Sequence, residues 1–410
     1  MKTFYSSILR ACIIAMLFAS MGAPLHANAG GKPKFINYEQ YGAVGDGVHD
    51  DMDAIVAAHA AANEMGLPVR LSGGKTYYIG NAAKTAIIRT DVDFADSKFI
   101  IDDVGMDMKG IGAPIFRVDP DEAPFTVDGV TALKKGQKKL GVNLGTRCMV
   151  QVVNDRKKVY IRFGPNQDNG SGQQEVFIAN AGGKISKRSG IVWDYDHITS
   201  IKAVPIPRKT LLVKGGTFTT IANDAESKYT YYARNILVHR SNVRIEGMTH
   251  LVTGELDHGA PYSGFLYVTG AADVTISNCL LTAHKTYRTI GSAGTPVSMG
   301  SYDLGAFSSV NVLFENCTQT TDIDDRAYWG LFGSNFCKGL RMDGCRISRF
   351  DAHMGVENVT LTDCTFGYMG VRAVGFGTML IKGCEIHDTK VISLREDYGS
   401  CWDGKMIIKD

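Results

Sequence analysis

Three clusters of titratable side chains stand out in the C-terminal half. They are His284, Lys285, Tyr287 and Arg288; then Asp322, Asp324, Asp325, Arg326 and Tyr328; then Arg349, Asp351 and His353. Tyr368 with Arg372, and His387 with Arg395, repeat the pattern more sparsely, and each group falls just past a cysteine. Cations and neutral proton donors gathered on one stripe suit an extended acidic chain, because a guanidinium grips carboxylate or sulfate with two parallel hydrogen bonds. If that chain is a uronate polysaccharide, β-elimination needs the C5 carboxylate neutralised, a base for the C5 proton and an acid for the departing O4. The expected roles are His353 as base with His284 as its alternative, Tyr287 or Tyr328 as acid, and Arg349, Arg326 and Lys285 as anion clamps. Arg288, Tyr302, Trp329, Asn335, Asp351, Arg372 and Arg395 are the expected substrate contacts, with Asp303 beside Tyr302 on the same loop. Hydrolysis would instead need two carboxylic acids flanking the bond, which Asp322, Asp324 and Asp325 with Asp351 could provide.

These groups can meet only if something stacks them. Asp273-Val-Thr-Ile-Ser-Asn-Cys279 returns as Asn311-Val-Leu-Phe-Glu-Asn-Cys317, Gly339-Leu-Arg-Met-Asp-Gly-Cys345, Asn358-Val-Thr-Leu-Thr-Asp-Cys364 and Thr378-Met-Leu-Ile-Lys-Gly-Cys384. Apolar and polar residues alternate over each unit, which then turns at Asn, Asp or Gly: one short strand per repeat. The cysteine intervals are 38, 28, 19 and 20 residues, so the bare repeat is about 20 and two coils carry extra loop. A period of this size with one strand-turn register per coil indicates a parallel β-helix, whereas the frame and helical half-repeats of a leucine-rich repeat are missing. Equal offsets from the cysteine should therefore line up along the axis, and the loops of the two longest coils should wall a cleft. The five in-phase cysteines should stack inward as free thiols, while Cys148, Cys337 and Cys401 have no such phase.

Asp50 or Asp51 can cap a helix over Met52–Met65, whose Met52, Ile55, Val56, His59 and Ala62 recur at helical spacing before Gly66. Its expected job is to cover the open end of the solenoid. The glycines of Tyr41-Gly-Ala-Val-Gly-Asp-Gly-Val-His-Asp-Asp51 have the spacing of neither a dinucleotide fingerprint nor a P-loop. That stretch, with Ala54-Ile55, Ala57, Ala58 and Gly73-Gly74-Lys75-Thr76-Tyr77-Tyr78-Ile79, resembles the N-terminal signature of the pectate-lyase-like right-handed β-helix superfamily. The resemblance implies an all-β, single-stranded right-handed parallel β-helix with an N-terminal capping helix. It covers lyases, hydrolases, epimerases and phage tail-spike modules, so it implies no one activity. The polygalacturonase elements Asn-Thr-Asp and Gly-His-Gly are not found. Trp329–Lys338 and Arg349–Gly355 are similar to secreted bacterial lyases acting on glycosaminoglycans such as chondroitin sulfate, which implies that class over pectate. Several lyases of the superfamily bind Ca²⁺, and the Asp322, Asp324, Asp325 cluster is the candidate for it here.

Between about 126 and 210 the repeat is lost. Strand-like runs at 147–153, 158–163, 174–178 and 190–193, separated by Asn-Gly and Gly-Gly turns, predict an antiparallel β insertion leaning on the β-helix. Lys134, Lys135, Lys138 and Lys139 read as a solvated face of it. Coils resume at Leu211, and Lys405–Asp410 aligns with Thr378–Gly383 without a capping segment after it, which predicts a longer natural chain. Residues 1–29 read as a secretory signal, with Lys2 and Arg10 before the apolar run Ala11–Ala19 and Ala27-Asn28-Ala29 as cleavage site; the β-helix domain is 30–410. That run is too short to span a membrane. With a formal net charge of +2 over 410 residues, bulk nucleic-acid binding is excluded and recognition must be local. The expected partner is an acidic polysaccharide, met in the periplasm or outside the cell.

Overall fold

In the computed structural model, residues 33–107 and 112–410 are described; residues 1–29, expected to be a secretory signal, lie outside them. The alternating runs form three stacked ladders of parallel strands, the three faces of a parallel β-helix. One face runs through Thr76–Ile79, Lys98–Asp102, Thr217–Ile221 and Thr249–Thr253. A second runs through Leu211–Lys214, Val243–Glu246, Ala272–Ser277 and Val310–Glu315 to Trp402–Lys409. The third runs through Ala86–Ile88, Phe116–Val118, Ile236–Val238, Leu266–Thr269 and Leu304–Phe307. Three long strands, Phe332–Asp343, Arg346–Thr362 and Thr365–Lys382, then bend from face to face.

Alternation decides what fills the interior. Val274, Ile276, Val312, Phe314, Phe332, Phe350 and Phe366 are all fully buried, and Phe332 lies over Phe350 with ring centroids 5.2 Å apart. Cys279, Cys317, Cys345 and Cys364 are buried at the same turn and Cys384 is half-buried; all the described cysteines are free. As small soft apolar groups they fill a corner where a branched side chain would crowd the next coil.

The helix Met52–Met65 covers one end, with Gly66 in the left-handed conformation ending it. Asp51 holds the N-cap position, but its side chain turns back to accept the Val44 and Gly45 amides, and Asp50 accepts the Met52 amide instead. The glycine-rich stretch is thus a folded cap whose donors are already used.

The antiparallel sheet is built from Phe125–Thr126, Cys148–Val159, Ser171–Ala179 and Ser200–Pro205. The expected run 147–153 lies in the long strand Cys148–Val159, which takes in only the first two residues of the expected run 158–163, and 190–193 is not a strand. Met149, Val176, Ile178 and Ile206 pack on Ala272 and Val310 of the second face. Beneath them the buried Lys338 ammonium bridges Glu175 of the insertion and Glu357 of the β-helix. A buried cation between two carboxylates fixes orientation, because a slip would strand an unpaired charge. The consequence is directional: the 160–170 tip of the hairpin is held over the third face.

Candidate active site

The third face carries the cleft. Its outward positions follow the register Tyr267, Gly305, Gly333, Asp351, Arg372 and Ser393, so two glycines are followed along one row by two charged residues. The glycines make the floor. A Cβ on Gly333 would come within 2.7 Å of the Tyr302 ring, and one on Gly305 would collide with the Tyr267 ring, so both tyrosines lie flat where any other residue would lift them. Above this floor is a cleft of about 450 Å³ lined by Tyr302, Trp329, Asn335, Arg349, His353 and Arg395, with Arg162 and Asn166 of the hairpin tip opposite.

His353 owes its position to a break in the ladder. Ser334 pairs with Ala352 and Asn335 with Met354, so His353 is the extra residue of a β-bulge, and the Asn335 side chain accepts the Met354 amide. Bulges re-aim one side chain out of the regular pleat. Here it swings His353 until Nε2 lies 3.2 Å from both the Tyr302 hydroxyl and an Asp351 carboxylate oxygen. Tyr302 donates to that same oxygen at 3.0 Å. Asn335, expected as a substrate contact, thus also holds the bulge.

Asp351 is the hub. It is fully buried, and Arg349 and Arg395 both donate to it, the latter at 2.9 Å. Arg395 also holds Asp397 at 2.7 Å, which Arg162 meets at 2.9 Å. The Arg349 guanidinium stacks over Trp329 at 4.7 Å and Tyr302 at 5.3 Å, a desolvated geometry that favours cation–π attraction. Three arginines against two aspartates leave the cleft with an excess of positive charge. Burial opposes ionisation of Asp351, yet Arg349, His353 and Arg395 hold its carboxyl well below the usual range. Burial lowers the His353 imidazole to about 3; Asp351 works against this, while Arg395 and Arg349 reinforce it. Burial also pushes the Tyr302 phenol well up. At neutral pH the cleft holds a neutral imidazole and a neutral phenol among fixed charges.

The other half of the expected row sits apart. His284 is buried, with Nδ1 2.9 Å from Glu255 and Nε2 3.4 Å from Asp303, whose other oxygen takes His250 at 2.7 Å. Burial opposes its charge, but Glu255 and Asp303 outweigh that and raise it to about 10. Lys285 donates to the Glu255 carbonyl, and the buried Tyr287 hydroxyl donates to the Glu255 carboxylate. Arg288 is exposed on a neighbouring recess with Arg162 and Asp397. Arg326 is exposed, 5.8 Å from the Tyr368 ring, and Tyr328 pairs through its backbone with Lys285. Tyr287, Tyr328, Lys285 and Arg326 therefore do not line this cleft, and the tyrosine beside His353 is Tyr302. Equal offset did not mean equal exposure, because the long loops fold over the earlier coils. Arg372 lies one rung past Asp351, in a groove that shares Trp329, Arg349 and Arg395 with the cleft.

The acidic cluster does not fit a Ca²⁺ site. Asp324 receives His387 at 2.7 Å, Asp322 accepts the Asp324 amide and Asp325 accepts the Ala327 amide. Among the described residues no three His, Cys, Asp or Glu side chains converge as metal ligands. Asp322, Asp324 and Asp325 do not line the cleft around His353. Arg162, Asn166, Tyr229, Tyr231 and Tyr398 also line the cleft and carry no repeat phase. The sequence signal for the first two is a strand running into an Arg-Phe-Gly-Pro-Asn turn.

No family model matches the chain. Nitrogenase iron protein 2 of Rhodobacter capsulatus is 24% identical over 127 residues, and the match spans 31% of this chain and 45% of that protein. Among solved structures, the Pseudomonas phage phi297 tailspike gp61 aligns over 92% of this chain and 75% of its own at 12% identity and a TM-score of 0.48. The A-module of the Azotobacter vinelandii mannuronan C-5 epimerase AlgE6 aligns over 91% and 93% at 11% identity and a TM-score of 0.32. At these values none of them transfers an activity to this chain. No helix among the described residues is long and apolar enough to cross a membrane.

Proposed function

We propose that this protein is a secreted polysaccharide lyase that cleaves an acidic, uronate-containing polysaccharide by β-elimination. A glycosaminoglycan such as chondroitin sulfate or hyaluronan is favoured over pectate, following the resemblance of the 329–338 and 349–355 segments. The observation that carries the reading is the convergence of Arg162, Arg349 and Arg395 with a neutral His353 and Tyr302 over one glycine floor. The arginines neutralise the uronate carboxylate and so stabilise the enolate-like charge that develops when the C5 proton leaves. A proton kept on His353 Nε2, which lies 3.2 Å from the Asp351 carboxylate, fixes the tautomer and leaves the lone pair on Nδ1 to act as base. Tyr302, kept protonated by burial, supplies the proton to the departing O4.

A base lowered to about 3 is weak, and the substrate mends this. Burial is the main cause and the arginines add to it; the substrate carboxylate, once bound, offsets the arginine share, so His353 gains basicity when a uronate is in place. Hydrolysis is less well served. The cleft carboxyls Asp351 and Asp397 are both lowered, whereas a glycosidase acid must be raised.

Purified protein is incubated with chondroitin sulfate, hyaluronan, heparan sulfate, pectate and alginate. A lyase releases an unsaturated uronate that absorbs in the ultraviolet. New reducing ends without that absorbance would move the assignment to a hydrolase, and binding without cleavage would make the protein a glycan-binding β-helix.

A further inference from the structure

Arg372 is a cation without a counter-ion. It is half-buried, and among the described residues no carboxylate lies within ion-pairing distance; its guanidinium donates to the Met369 carbonyl at 3.1 Å and touches the Met369 sulfur. Burial, then the repulsion of Arg349, depress its basicity, while Asp351 and Asp388 act in the opposite direction. A partly desolvated guanidinium beside like charges costs stability unless something anionic meets it. Arg349, Arg162 and Arg395 each have such a partner in Asp351 or Asp397; Arg372 does not.

The groove around Arg372 is formed accordingly. It measures about 760 Å³ and brings the exposed Lys390 and Thr389 and the half-buried Ser393 to it; Asp388, Glu396 and Asp397 also line it, Asp397 being paired with Arg395 and Arg162. Ser393 stands directly above Arg372 in the ladder, and Arg372 directly above Asp351. One rung is about 4.8 Å, the scale of a step to the next sugar of an extended chain. Trp329, Arg349 and Arg395 form the wall common to groove and cleft, so the two recesses are one trough running along the axis.

We propose that Arg372, with Lys390, forms a second anion subsite that takes a sulfate or carboxylate group on the sugar next to the one held at His353. This rests on the acidic-polysaccharide reading and narrows it to polymers charged on successive sugars. In an alternating uronate–hexosamine chain the second anion is a sulfate ester; in a homouronan it is the next carboxylate.

Binding is measured on the full chain carrying H353A, so that the polymer survives, with oligosaccharides of chondroitin sulfate, chemically desulfated chondroitin and pectate. Adding R372A is expected to weaken chondroitin sulfate or pectate about tenfold, as for a lost charge-assisted contact, and to weaken desulfated chondroitin much less. Loss confined to chondroitin sulfate identifies sulfate, and loss on pectate identifies the neighbouring carboxylate. R372K should recover part of the affinity, and R372A should not lower the melting temperature, since it removes an unpaired cation. Equal affinities before and after the substitution, or an equal loss on desulfated chondroitin, would overturn the subsite. Unmutated chain that binds these polymers without cleaving them sinks the lyase reading while the subsite remains measurable. Unmutated chain that binds none of them overturns both.

Discussion

His284 and His353 follow their repeat cysteines by five and eight residues, carry similar neighbours in sequence, and end in opposite electrostatic states. Around His284, burial opposes the charge, but Glu255 and Asp303 outweigh that and raise the imidazole to about 10. Around His353, burial lowers the imidazole to about 3; Asp351 opposes this, and Arg395 and Arg349 add to it. The first cluster has satisfied itself and has no use for a ligand. The second keeps a positive surplus that only an incoming anion can meet. Counter-charge, more than residue type or offset, separates a structural network from a candidate site.

The largest test of that contrast compares two substitutions. H353A should lower turnover by about 10²–10⁴-fold, the usual worth of a positioned base, with little change in melting temperature. H284A should act the other way round, destabilising the fold by about 3–5 kcal/mol, because Glu255 and Asp303 lose the cation that compensates their burial. Thermal melts and steady-state rates on the same preparations decide it. If H284A abolishes turnover while leaving the melt unchanged, the two clusters have been assigned the wrong way round.

A smaller effect is expected from the floor. G333A places a methyl group 2.7 Å from the Tyr302 ring, so the ring must lift and its hydroxyl must leave Asp351 and His353. The backbone at Gly333 needs no special conformation, since its φ is not positive, so the chain should fold. Turnover should fall about 10- to 100-fold, the scale attached to ångström-level misplacement of a catalytic group. The same methyl placed on a coil away from the cleft offers the control. Unchanged turnover in G333A would mean that Tyr302 does not have to lie where the structure puts it.

The fold was legible because cysteines mark the same turn of successive coils, and a ladder repeats its register whatever its loops do. The Arg349–His353 segment was legible for the same reason, as were Tyr302, Trp329, Arg372 and Arg395 as loop or row positions near it. Two things were not. The hydrogen bonds that occupy His284, Lys285 and Tyr287 go to Glu255, which comes from the preceding coil and has no marked phase. Arg162 and Asn166 reach the cleft from an insertion nearly two hundred residues earlier, aimed by the Lys338 bridge to Glu175 and Glu357. The bulge at His353 is likewise invisible to alternation, since one extra residue in a strand reads as a flaw in the pattern until its partner strand is known.

The smallest effects are those of pH, and they sharpen the contrast through their signs. His284 is raised from 6.5 to about 10, so the folded state binds more protons than the unfolded one between those values. Its contribution to stability is complete below pH 6.5 and is lost as pH rises through about 10. His353 is lowered from 6.5 to about 3, so the unfolded chain binds the extra proton, and stability falls as pH drops from 6.5 towards 3. H284N should flatten the alkaline side of the melting-temperature curve and H353N the acid side. In the kinetics, kcat/KM reports the free protein, so its acid limb should lie well below the 6.5 of an ordinary histidine. The acid limb of kcat reports the complex, where the bound carboxylate offsets the arginines, and should lie higher. Coincident limbs near 6.5 would show that the arginine surplus does not govern His353, and the electrostatic distinction between the two clusters would go with it.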